Sequence, residues 1–311
     1  MPDIVISEFM DESAIGELLA DYDVLYDPGL VERRRDLLAL LAGARGLVVR
    51  NRTQVDRELL EAAPALRVVG RLGVGLDNID TAACAARGIA VCPATGANDL
   101  SVAEWVLASV MVLFRDAFLV RDQVIQGQWP RARCMGRETA GKALGLVGYG
   151  NIARETARLA RAVGMEVLAY DPYVPADDPA WQGVRRLESL EELLAAADAV
   201  SLHVPLNQDT RHLIDARALG IMKPGALLIN AARGGVVDED ALVAALHTGP
   251  LGGAALDVYE QEPLSSQAGE RFAGIDNLLL TPHIAGVSLE SNQRVSRVTM
   301  QNLRRVLEGS S

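Results

Sequence analysis

Short apolar runs alternate with longer amphipathic stretches through the first third of the chain. The runs lie at 3–8, 44–51, 66–73 and 88–94, and Val and Ile make up much of each. Apolar runs of this length between turn residues are typical of buried strands. The segment 11–20 starts with acidic residues and has helical periodicity, which predicts a helix. Strands that alternate with helices indicate a parallel sheet and the α/β class.

A long apolar stretch separates this part of the chain from a second alternating region. Ser101 and Glu104 have the spacing of a capping box, which predicts a helix that starts at Ser101 and runs to about Gly127. A final amphipathic helix is predicted at 288–307, after a last strand that ends at His283. Six further apolar runs are predicted to be strands: 142–150, 165–171, 197–205, 225–233, 252–259 and 277–283.

Charge and composition narrow the classes of function. The 311 residues have a formal net charge of −11, which repels nucleic acids and anionic membranes, so neither is expected as a partner. The sequence shows no apolar run of membrane-spanning length, and its first residues lack the basic region of a signal peptide. The three cysteines form no Cys-x-x-Cys pair, which predicts reduced thiols and a cytoplasmic location. The four histidines are scattered, which predicts no metal site.

A glycine-rich segment with the pattern Gly-x-Gly-x-x-Ala is formed by Gly148, Gly150 and Ala153. The first glycine permits a tight turn, the second lets a pyrophosphate approach the backbone, and the third position requires only a small residue. The motif by itself is weak, and a purely structural turn is the alternative. It follows an apolar run and opens a helical segment, however, so we predict a dinucleotide site with the pyrophosphate at the helix N-terminus.

The next apolar run ends in Asp171, where dinucleotide-binding folds place the carboxylate that binds the adenosine ribose. A carboxylate there would repel the additional 2′-phosphate of NADP, and Pro172 and Tyr173 supply no positive charge in its place. The pattern therefore favours NAD. The alternative is that Asp171 only caps a turn before the proline.

Three later runs end in polar residues that suit hydride transfer to NAD. Arg233, Asp257 and His283 lie at the ends of these runs and Glu262 follows the second one, and ligands of open α/β sheets lie beyond the carboxyl ends of strands. A histidine accepts the hydroxyl proton, a nearby carboxylate favours the imidazolium, and an arginine binds a carboxylate and polarises a carbonyl. Taken singly, each residue has an alternative as a strand cap, a solvated turn or a surface acid.

Together these segments resemble the D-isomer-specific 2-hydroxyacid dehydrogenase family, and most closely its phosphoglycerate dehydrogenase-like branch. The resemblance rests on 68–80, 230–242, 255–263 and 281–286, with the glycine-rich segment upstream. It implies that Arg233 binds the 2-oxo acid, that His283 exchanges the proton and that Glu262 pairs with His283.

The resemblance also implies how the cofactor and the substrate are held. Val74 and Gly75 would give backbone N–H groups to the substrate carboxylate, and Asp257 would lie near the nicotinamide. The residues implied to lie along NAD are Val74, Gly148, Gly150, Asn151, Ile152, Asp171, Val204, Pro205, Ala231, Ala232, Arg233, Asp257, His283 and Gly286. Those implied to bind substrate are Arg50, Arg71, Val74, Gly75, Arg233 and His283.

In this family the chain folds into two doubly wound parallel-sheet domains. The resemblance implies a Rossmann NAD domain, residues 98–284, inserted in a flavodoxin-like substrate domain made of 1–97 and 285–311. The active site would be the cleft between them. The apolar stretch after Ser101 would form much of a homodimer interface.

The expected substrate carries a second anionic group. Arg50, Arg52 and Arg71 lie at or just past the ends of predicted strands, and the resemblance implies that positions 50 and 71 match arginines that bind the distal phosphate in phosphoglycerate dehydrogenases. The candidates are 3-sulfolactate and 3-phosphoglycerate, and the segments 6–12 and 48–55 resemble the bacterial sulfolactate dehydrogenases of this branch, which favours the former. Reduction of glyoxylate or hydroxypyruvate stays open as an alternative. An NAD-sensing, corepressor-like binding protein is the alternative from another class.

Overall fold

The computed structural model describes residues 1–16 and 21–309. The chain divides into two units: unit 1 comprises Met1–Asn98 and Val287–Ser311, and unit 2 comprises Asp99–Gly286. Each unit is built on its own parallel sheet, and the predicted α/β class is confirmed.

The described part of unit 1 contains a five-stranded parallel sheet with the order β2-β1-β3-β4-β5. Its strands are β1 (Ile4–Ile6), β2 (Val24–Tyr26), β3 (Gly46–Val49), β4 (Val68–Arg71) and β5 (Ala90–Pro93). Its first helices are α1 (Glu12–Ile15), α2 (Arg34–Leu40), α3 (Arg57–Ala62) and α4 (Thr81–Ala86). The central strands β1 and β3 are buried along their whole length, which explains their continuous apolar sequence.

The four strands predicted for this region are confirmed, whereas β2 was not predicted. Its three residues lie half-buried at the sheet edge, and so short a run has no recognisable period. The helix predicted over 11–20 is confirmed at Glu12–Ile15, and the residues 17–20 of that prediction lie outside the described part of the chain.

The described part of unit 2 contains a seven-stranded parallel sheet with the order β12-β11-β10-β9-β6-β7-β8. Its strands are β6 (Ala143–Val147), β7 (Glu166–Tyr170), β8 (Arg185–Arg186), β9 (Ala199–Leu202), β10 (Leu227–Asn230), β11 (Gly253–Leu256) and β12 (Leu278–Leu280). Its helices are α5 (Asp99–Arg115), α6 (Arg121–Ile125), α7 (Asn151–Ala162), α8 (Leu190–Ala196), α9 (Ala216–Ile221), α10 (Glu239–Thr248) and α11 (Ser266–Gly269). The strand order reverses between β6 and β9, and such a switch point is where open α/β sheets bind ligands. All six predicted strands are present, and β8 was missed because two arginines give no apolar signal.

The single helix predicted from Ser101 to about Gly127 is wrong at both ends. Helix α5 begins at Asp99, so Ser101 lies within its first turn and is not the N-cap. It ends at Arg115, and Asp116 takes a positive φ of 49° that breaks the helix before α6 begins. The apolar face of α5 is buried in the core of unit 2 together with residues of α7.

The last helix, α12 (Leu289–Glu308), belongs to unit 1, and its bounds agree with the helix predicted at 288–307. Ser288 caps its N-terminus and forms a capping box with Ser291. The helix packs on β4 at Gly70, where a β-carbon would lie 2.2 Å from Leu303 Cδ1. The missing side chain at Gly70 therefore makes room for the helix.

Two further observations bear on the class of protein. No helix in residues 1–16 and 21–309 combines the length and the apolar character needed to cross a bilayer. The cysteines Cys84, Cys92 and Cys134 are all free thiols, and Cys84 is buried.

Candidate active site

The predicted catalytic segments follow three neighbouring strands of unit 2. Arg233 follows β10, Asp257 and Glu262 follow β11, and His283 follows β12. Since parallel strands end at the same edge of a sheet, these side chains share one edge. The strand predicted to end at His283 stops at Leu280, because Pro282 has no N–H group with which to extend the ladder.

His283 and Glu262 form a hydrogen-bonded pair. The Nδ1 atom of His283 lies 2.6 Å from Oε2 of Glu262, and the side chains are 40% and 31% exposed. Burial by itself would raise the pKa of Glu262. The hydrogen bonds from His283 and from the Tyr259 N–H, together with the charges of His283 and Arg233, outweigh burial and hold that pKa below its usual value. Glu262 is therefore a carboxylate, and Nδ1 of His283 donates to it.

The loop that carries His283 is fixed by Asp257. Asp257 is 1% exposed, and its carboxylate accepts hydrogen bonds from Thr281 Oγ1 at 2.5 Å, from Ile284 N at 2.8 Å and from Ala285 N at 2.7 Å. Its carbonyl oxygen accepts a bond from the N–H of His283 at 2.9 Å. His283 has a positive φ of 54°, which a non-glycine residue keeps only where its surroundings determine it. Asp257 thus sets the position of the histidine.

Tyr259 is a further support that sequence reasoning missed. Its hydroxyl donates to the carbonyl oxygen of Thr281 at 2.8 Å, and its N–H donates to Glu262 Oε1 at 3.0 Å. Burial, with the negative charge of Asp257, raises the pKa of Tyr259 to about 12, so its hydroxyl stays a donor. One residue therefore contacts both the His283 loop and the carboxylate that pairs with it. Nothing in the spacing of the sequence marks this role.

The turn that carries Arg233 is held by Asn230 and Gly234. The buried amide of Asn230 donates to the carbonyl of Arg233 at 3.0 Å and accepts from the N–H of Ala232 at 3.0 Å. A β-carbon on Gly234 would lie 1.7 Å from the carbonyl oxygen of Tyr259, so the segments after β10 and β11 touch there. Neither Asn230 nor Gly234 was predicted to matter. Asn230 could have been found as a polar residue that ends a buried strand.

The glycine-rich turn has the geometry that a pyrophosphate requires. Gly148 has a φ of 87°, and a β-carbon there would lie 2.6 Å from the carbonyl oxygen of His203. Gly150 is the N-cap of α7 and gives the helix no side-chain cap, and a β-carbon there would meet nothing within 4 Å. The open backbone and the helix N-terminus fit the phosphates of a dinucleotide. Ala153 is fully buried, so the small third residue serves as a packing position.

Asp171 joins the end of β7 to the glycine-rich turn. Its Oδ2 accepts the N–H of Tyr149 at 2.7 Å, and its Oδ1 accepts the N–H of Tyr173 at 2.8 Å. A carboxylate has about four acceptor positions, so capacity for a ribose hydroxyl is left. Both interpretations of this residue, as a turn cap and as a ribose ligand, are compatible with these bonds.

The other residues of unit 2 implied to lie along NAD follow the strands β9 to β12 or start helix α7. Val204 and Pro205 follow β9, and Val204 Cγ1 would lie 3.0 Å from a β-carbon on Gly148. The remaining ones are Asn151 and Ile152 at the start of α7, Ala231 and Ala232 after β10, and Gly286 at the end of unit 2.

Unit 1 carries the residues implied to bind the substrate's anionic groups. Arg50 follows β3, and its guanidinium donates from Nη2 to Asn292 Oδ1 at 2.8 Å and from Nη1 to the carbonyl of Phe9 at 3.4 Å. Burial lowers the pKa of Arg50, and the nearby charge of Glu8 acts in the opposite direction. The exposed Arg52 instead forms an ion pair with Glu32.

Arg71 ends the neighbouring strand β4 and introduces the loop of Val74 and Gly75. Its Nη1 donates to the carbonyl of Leu72 at 2.7 Å. Gly73 has a φ of 137°, and a β-carbon there would lie 1.8 Å from the same Nη1. Gly73 therefore makes room for the Arg71 guanidinium, while Val74 is exposed and Gly75 is half-buried.

Comparison with protein families agrees with this geometry. The family model described as "D-isomer specific 2-hydroxyacid dehydrogenase, NAD binding domain" matches residues 107–285, which is more than half of the chain. The chain belongs to the D-isomer specific 2-hydroxyacid dehydrogenase family. It is therefore an NAD-dependent oxidoreductase that acts on 2-hydroxy acids, which confirms the predicted enzyme class and cofactor.

Several members of this dehydrogenase family match nearly the whole chain. The (S)-sulfolactate dehydrogenase of Chromohalobacter salexigens is 58% identical over 307 residues, which cover 99% of both chains. The D-3-phosphoglycerate dehydrogenase of Methanocaldococcus jannaschii is 36% identical over 99% of this chain, which spans only 58% of that longer protein. The crystal structure of D-lactate dehydrogenase from Aquifex aeolicus with NAD and lactic acid superimposes with a TM-score of 0.85, at 30% identity and over 99% and 96% of the two chains.

Proposed function

We propose that this dehydrogenase interconverts 3-sulfolactate and 3-sulfopyruvate with NAD. The observation that carries the proposal is the 58% identity, over 99% of both chains, to an (S)-sulfolactate dehydrogenase. The two arginines after β3 and β4 support it, because a substrate with a sulfonate at its far end needs a cation there in addition to Arg233.

The catalytic roles are assigned to unit 2. The nicotinamide of NAD, when bound, would supply the acceptor for the hydride that leaves C2 of the hydroxy acid. His283 takes the hydroxyl proton on Nε2, because its Nδ1 is engaged by Glu262 at 2.6 Å. The Glu262 carboxylate stabilises the resulting imidazolium, and Arg233 binds the substrate carboxylate and polarises the oxygen on C2. In the reductive direction His283 returns the proton.

The cofactor would be held by the surface around the switch point. Gly148, Gly150 and the first N–H groups of α7 would bind the pyrophosphate, and Asp171 the adenosine ribose. The nicotinamide end would be lined by the residues after β9, β10, β11 and β12: Val204, Pro205, Ala231, Ala232, Asp257, His283 and Gly286.

Substrate anions are assigned to unit 1. The backbone N–H groups of Val74 and Gly75 would bind the carboxylate next to C2, and Arg50 and Arg71 would bind the distal sulfonate. Both arginines already donate to backbone or amide oxygens, which restricts their orientation before a ligand arrives.

The test is oxidation of NADH and of NADPH by the purified protein with sulfopyruvate, 3-phosphohydroxypyruvate, hydroxypyruvate and glyoxylate. We expect the highest kcat/KM with sulfopyruvate and NADH. A higher kcat/KM with 3-phosphohydroxypyruvate would show that the distal group of the substrate is a phosphate and not a sulfonate. Turnover of only hydroxypyruvate and glyoxylate would contradict the assignment of a distal-anion site.

We further propose that the protein acts in the cytoplasm as a homodimer. Most of the apolar face of α5 is buried within unit 2, but the segment that follows exposes Phe118, Ile125, Trp129 and Met135 at 67%, 67%, 75% and 80%. Exposed apolar side chains grouped in this way are typical of interfaces. Light scattering should give twice the mass of the chain, and Ile125→Asp with Trp129→Ser should yield a monomer. A monomeric wild-type protein would contradict the proposal.

A further inference from the structure

The carboxylate of Glu8 occupies a nest of backbone N–H groups in unit 1. Glu8 is 5% exposed, and its two oxygens accept the N–H groups of four consecutive residues. The distances are 2.9 Å to Arg50, 3.3 Å to Asn51, 3.1 Å to Arg52 and 2.9 Å to Thr53. Successive N–H groups that converge in this way bind an anion. In this protein the anion is the chain's own side chain.

The sheet topology brings this charge to the arginines. Strands β1, β3 and β4 are neighbours, and Glu8, Arg50 and Arg71 lie at or just after their carboxyl ends. The charge of Glu8 acts on Arg50, since it raises the pKa of that guanidinium against the larger lowering by burial. Glu8 is therefore part of the electrostatic environment in which a distal anion would bind.

Glu8 does not neutralise Arg50 by a direct side-chain contact. The carboxylate is engaged by backbone N–H groups, and the guanidinium is engaged by the Asn292 amide and the Phe9 carbonyl, both of which are uncharged. The guanidinium is thus held in place without an ion pair. The Glu8 carboxylate therefore adds a negative charge beside the Arg50 guanidinium without forming an ion pair with it.

We propose that Glu8 sets the charge of the distal-anion site so that it accepts a monoanion, such as a sulfonate, and disfavours a phosphate dianion. This inference rests on the proposed function, in which Arg50 and Arg71 bind the distal group. A sulfonate carries one negative charge at all working pH values, whereas a phosphate monoester has a second pKa of about 6 and carries nearly two charges above it. The second charge of the phosphate would be repelled by the Glu8 carboxylate.

The wild-type protein provides the first test. The ratio of kcat/KM for 3-phosphohydroxypyruvate to that for sulfopyruvate is measured with NADH between about pH 5.5 and 7.5. Any effect of pH on the catalytic groups of the enzyme acts on both substrates alike and cancels in the ratio. If the site accepts the phosphate monoanion about ten times better than the dianion, the ratio falls about sixfold over this range, because the share of monoanion falls. A ratio that stays constant within about threefold would overturn the proposal.

The second test removes the negative charge of the Glu8 side chain. Glu8→Gln should raise the same ratio about tenfold at pH 7.5 and flatten its pH dependence, because one unit charge near a half-buried site changes binding by about this factor. Glu61→Gln on α3 is the matched control, since it removes an exposed carboxylate of the same unit, and its ratio should equal that of the wild type. Thermal unfolding checks that Glu8→Gln is folded, and the pH series of the wild type does not depend on that variant.

The outcomes separate this inference from the proposed function. Turnover of sulfopyruvate with a pH-independent ratio that Glu8→Gln leaves unchanged would reject the role of Glu8 and leave the function standing. Turnover of neither distal-anion substrate, with glyoxylate still reduced, would reject both.

Discussion

The backbone of Gly234 touches the carbonyl group of Tyr259, so closely that a β-carbon on Gly234 would lie 1.7 Å from the oxygen. The turn after β10 and the segment after β11 are therefore packed without a side chain between them. This contact brings the charge of Arg233 close enough to Glu262 to lower the pKa of that carboxylate. The arrangement of the catalytic groups depends on a glycine that performs no chemistry.

Gly234→Ala should separate the two catalytic segments. We expect a loss of about 1–3 kcal/mol in the free energy of unfolding, as for other overpacked sites, and a fall of about 100-fold in kcat/KM. Gly220→Ala in α9 is the control, because a β-carbon there meets nothing within 4 Å, and an alanine should stabilise the helix slightly. Urea unfolding and steady-state kinetics check both variants. Full activity in Gly234→Ala would contradict the importance of this contact.

The two glycines of the nucleotide turn should respond differently to the same substitution. Gly148→Ala forces a side chain into positive φ and against the His203 carbonyl, so we expect a loss of stability as well as of NADH binding. Gly150→Ala meets open space at an ordinary φ of −78°, so the protein alone should unfold at the wild-type temperature while its Kd for NADH rises at least about tenfold. Thermal unfolding and fluorescence titration measure the two effects. Wild-type NADH affinity in Gly150→Ala would show that the pyrophosphate lies elsewhere.

The low pKa of Glu262 predicts how stability depends on pH. A carboxyl group whose pKa is lower in the folded state than in the unfolded state stabilises the fold at pH values above its unfolded pKa. That contribution disappears as the pH falls through the lower, folded value. The wild type should therefore be more stable than Glu262→Gln at pH 6, and the difference should shrink below about pH 4. Urea unfolding at several pH values measures this difference in the free energy of unfolding. A difference that grew towards acid pH would contradict the prediction.

Tyr259→Phe should misplace His283 without removing any group that reacts. Loss of the hydroxyl leaves the Thr281 carbonyl without this donor, which costs about 1 kcal/mol of unfolding free energy and should lower kcat several-fold. KM should change less than kcat, since the residues assigned to the substrate's anionic groups are untouched. Tyr26→Phe in unit 1 removes a hydroxyl that donates to the Met10 carbonyl at 3.3 Å and should leave kcat unchanged. Equal kcat values for the two variants would refute the positioning role.

Arg50 and Arg52 are two residues apart but are expected to differ in function. Arg50→Ala should lower kcat/KM for sulfopyruvate about 100-fold and for glyoxylate only a few-fold, because glyoxylate has no distal anion. Arg52→Ala should change neither by more than about threefold, since its side chain pairs with Glu32 at the surface and such pairs contribute little. The comparison needs only kinetics with two substrates. A larger loss of kcat/KM for sulfopyruvate in Arg52→Ala than in Arg50→Ala would assign the distal-anion site to Arg52.

Sequence alone was sufficient to place several candidate site residues at the ends of strands. Gly148, Gly150, Asp171 and His283 follow strands in an order that the apolar runs already display. It failed for edge elements, as at β2 and β8, where partial burial leaves no period. It also failed at the end of α5, since the break at Asp116 interrupts an apolar pattern that continues beyond it.

Supporting residues were not predictable, because their partners lie far away along the chain. Glu8 binds N–H groups more than forty residues later, and Asn292 meets Arg50 from α12. Gly234 is required only because the Tyr259 carbonyl lies against it. In each case a three-dimensional contact assigns the function, and the residue type carries no signal of its own.

The packing of α12 on Gly70 has a consequence for how the protein is made. Residues of α12, among them Val295, Leu303 and Leu307, share a buried apolar cluster with Ile4, Ile6 and Val68 of the first sheet. A ribosome delivers that sheet first and its covering helix last, with all of unit 2 in between. Residues 99–286 are synthesised at about 5–20 residues per second. The apolar face of the nascent sheet therefore stays uncovered for roughly 10 to 40 seconds before α12 is made. A chaperone that shields this face would act during that interval.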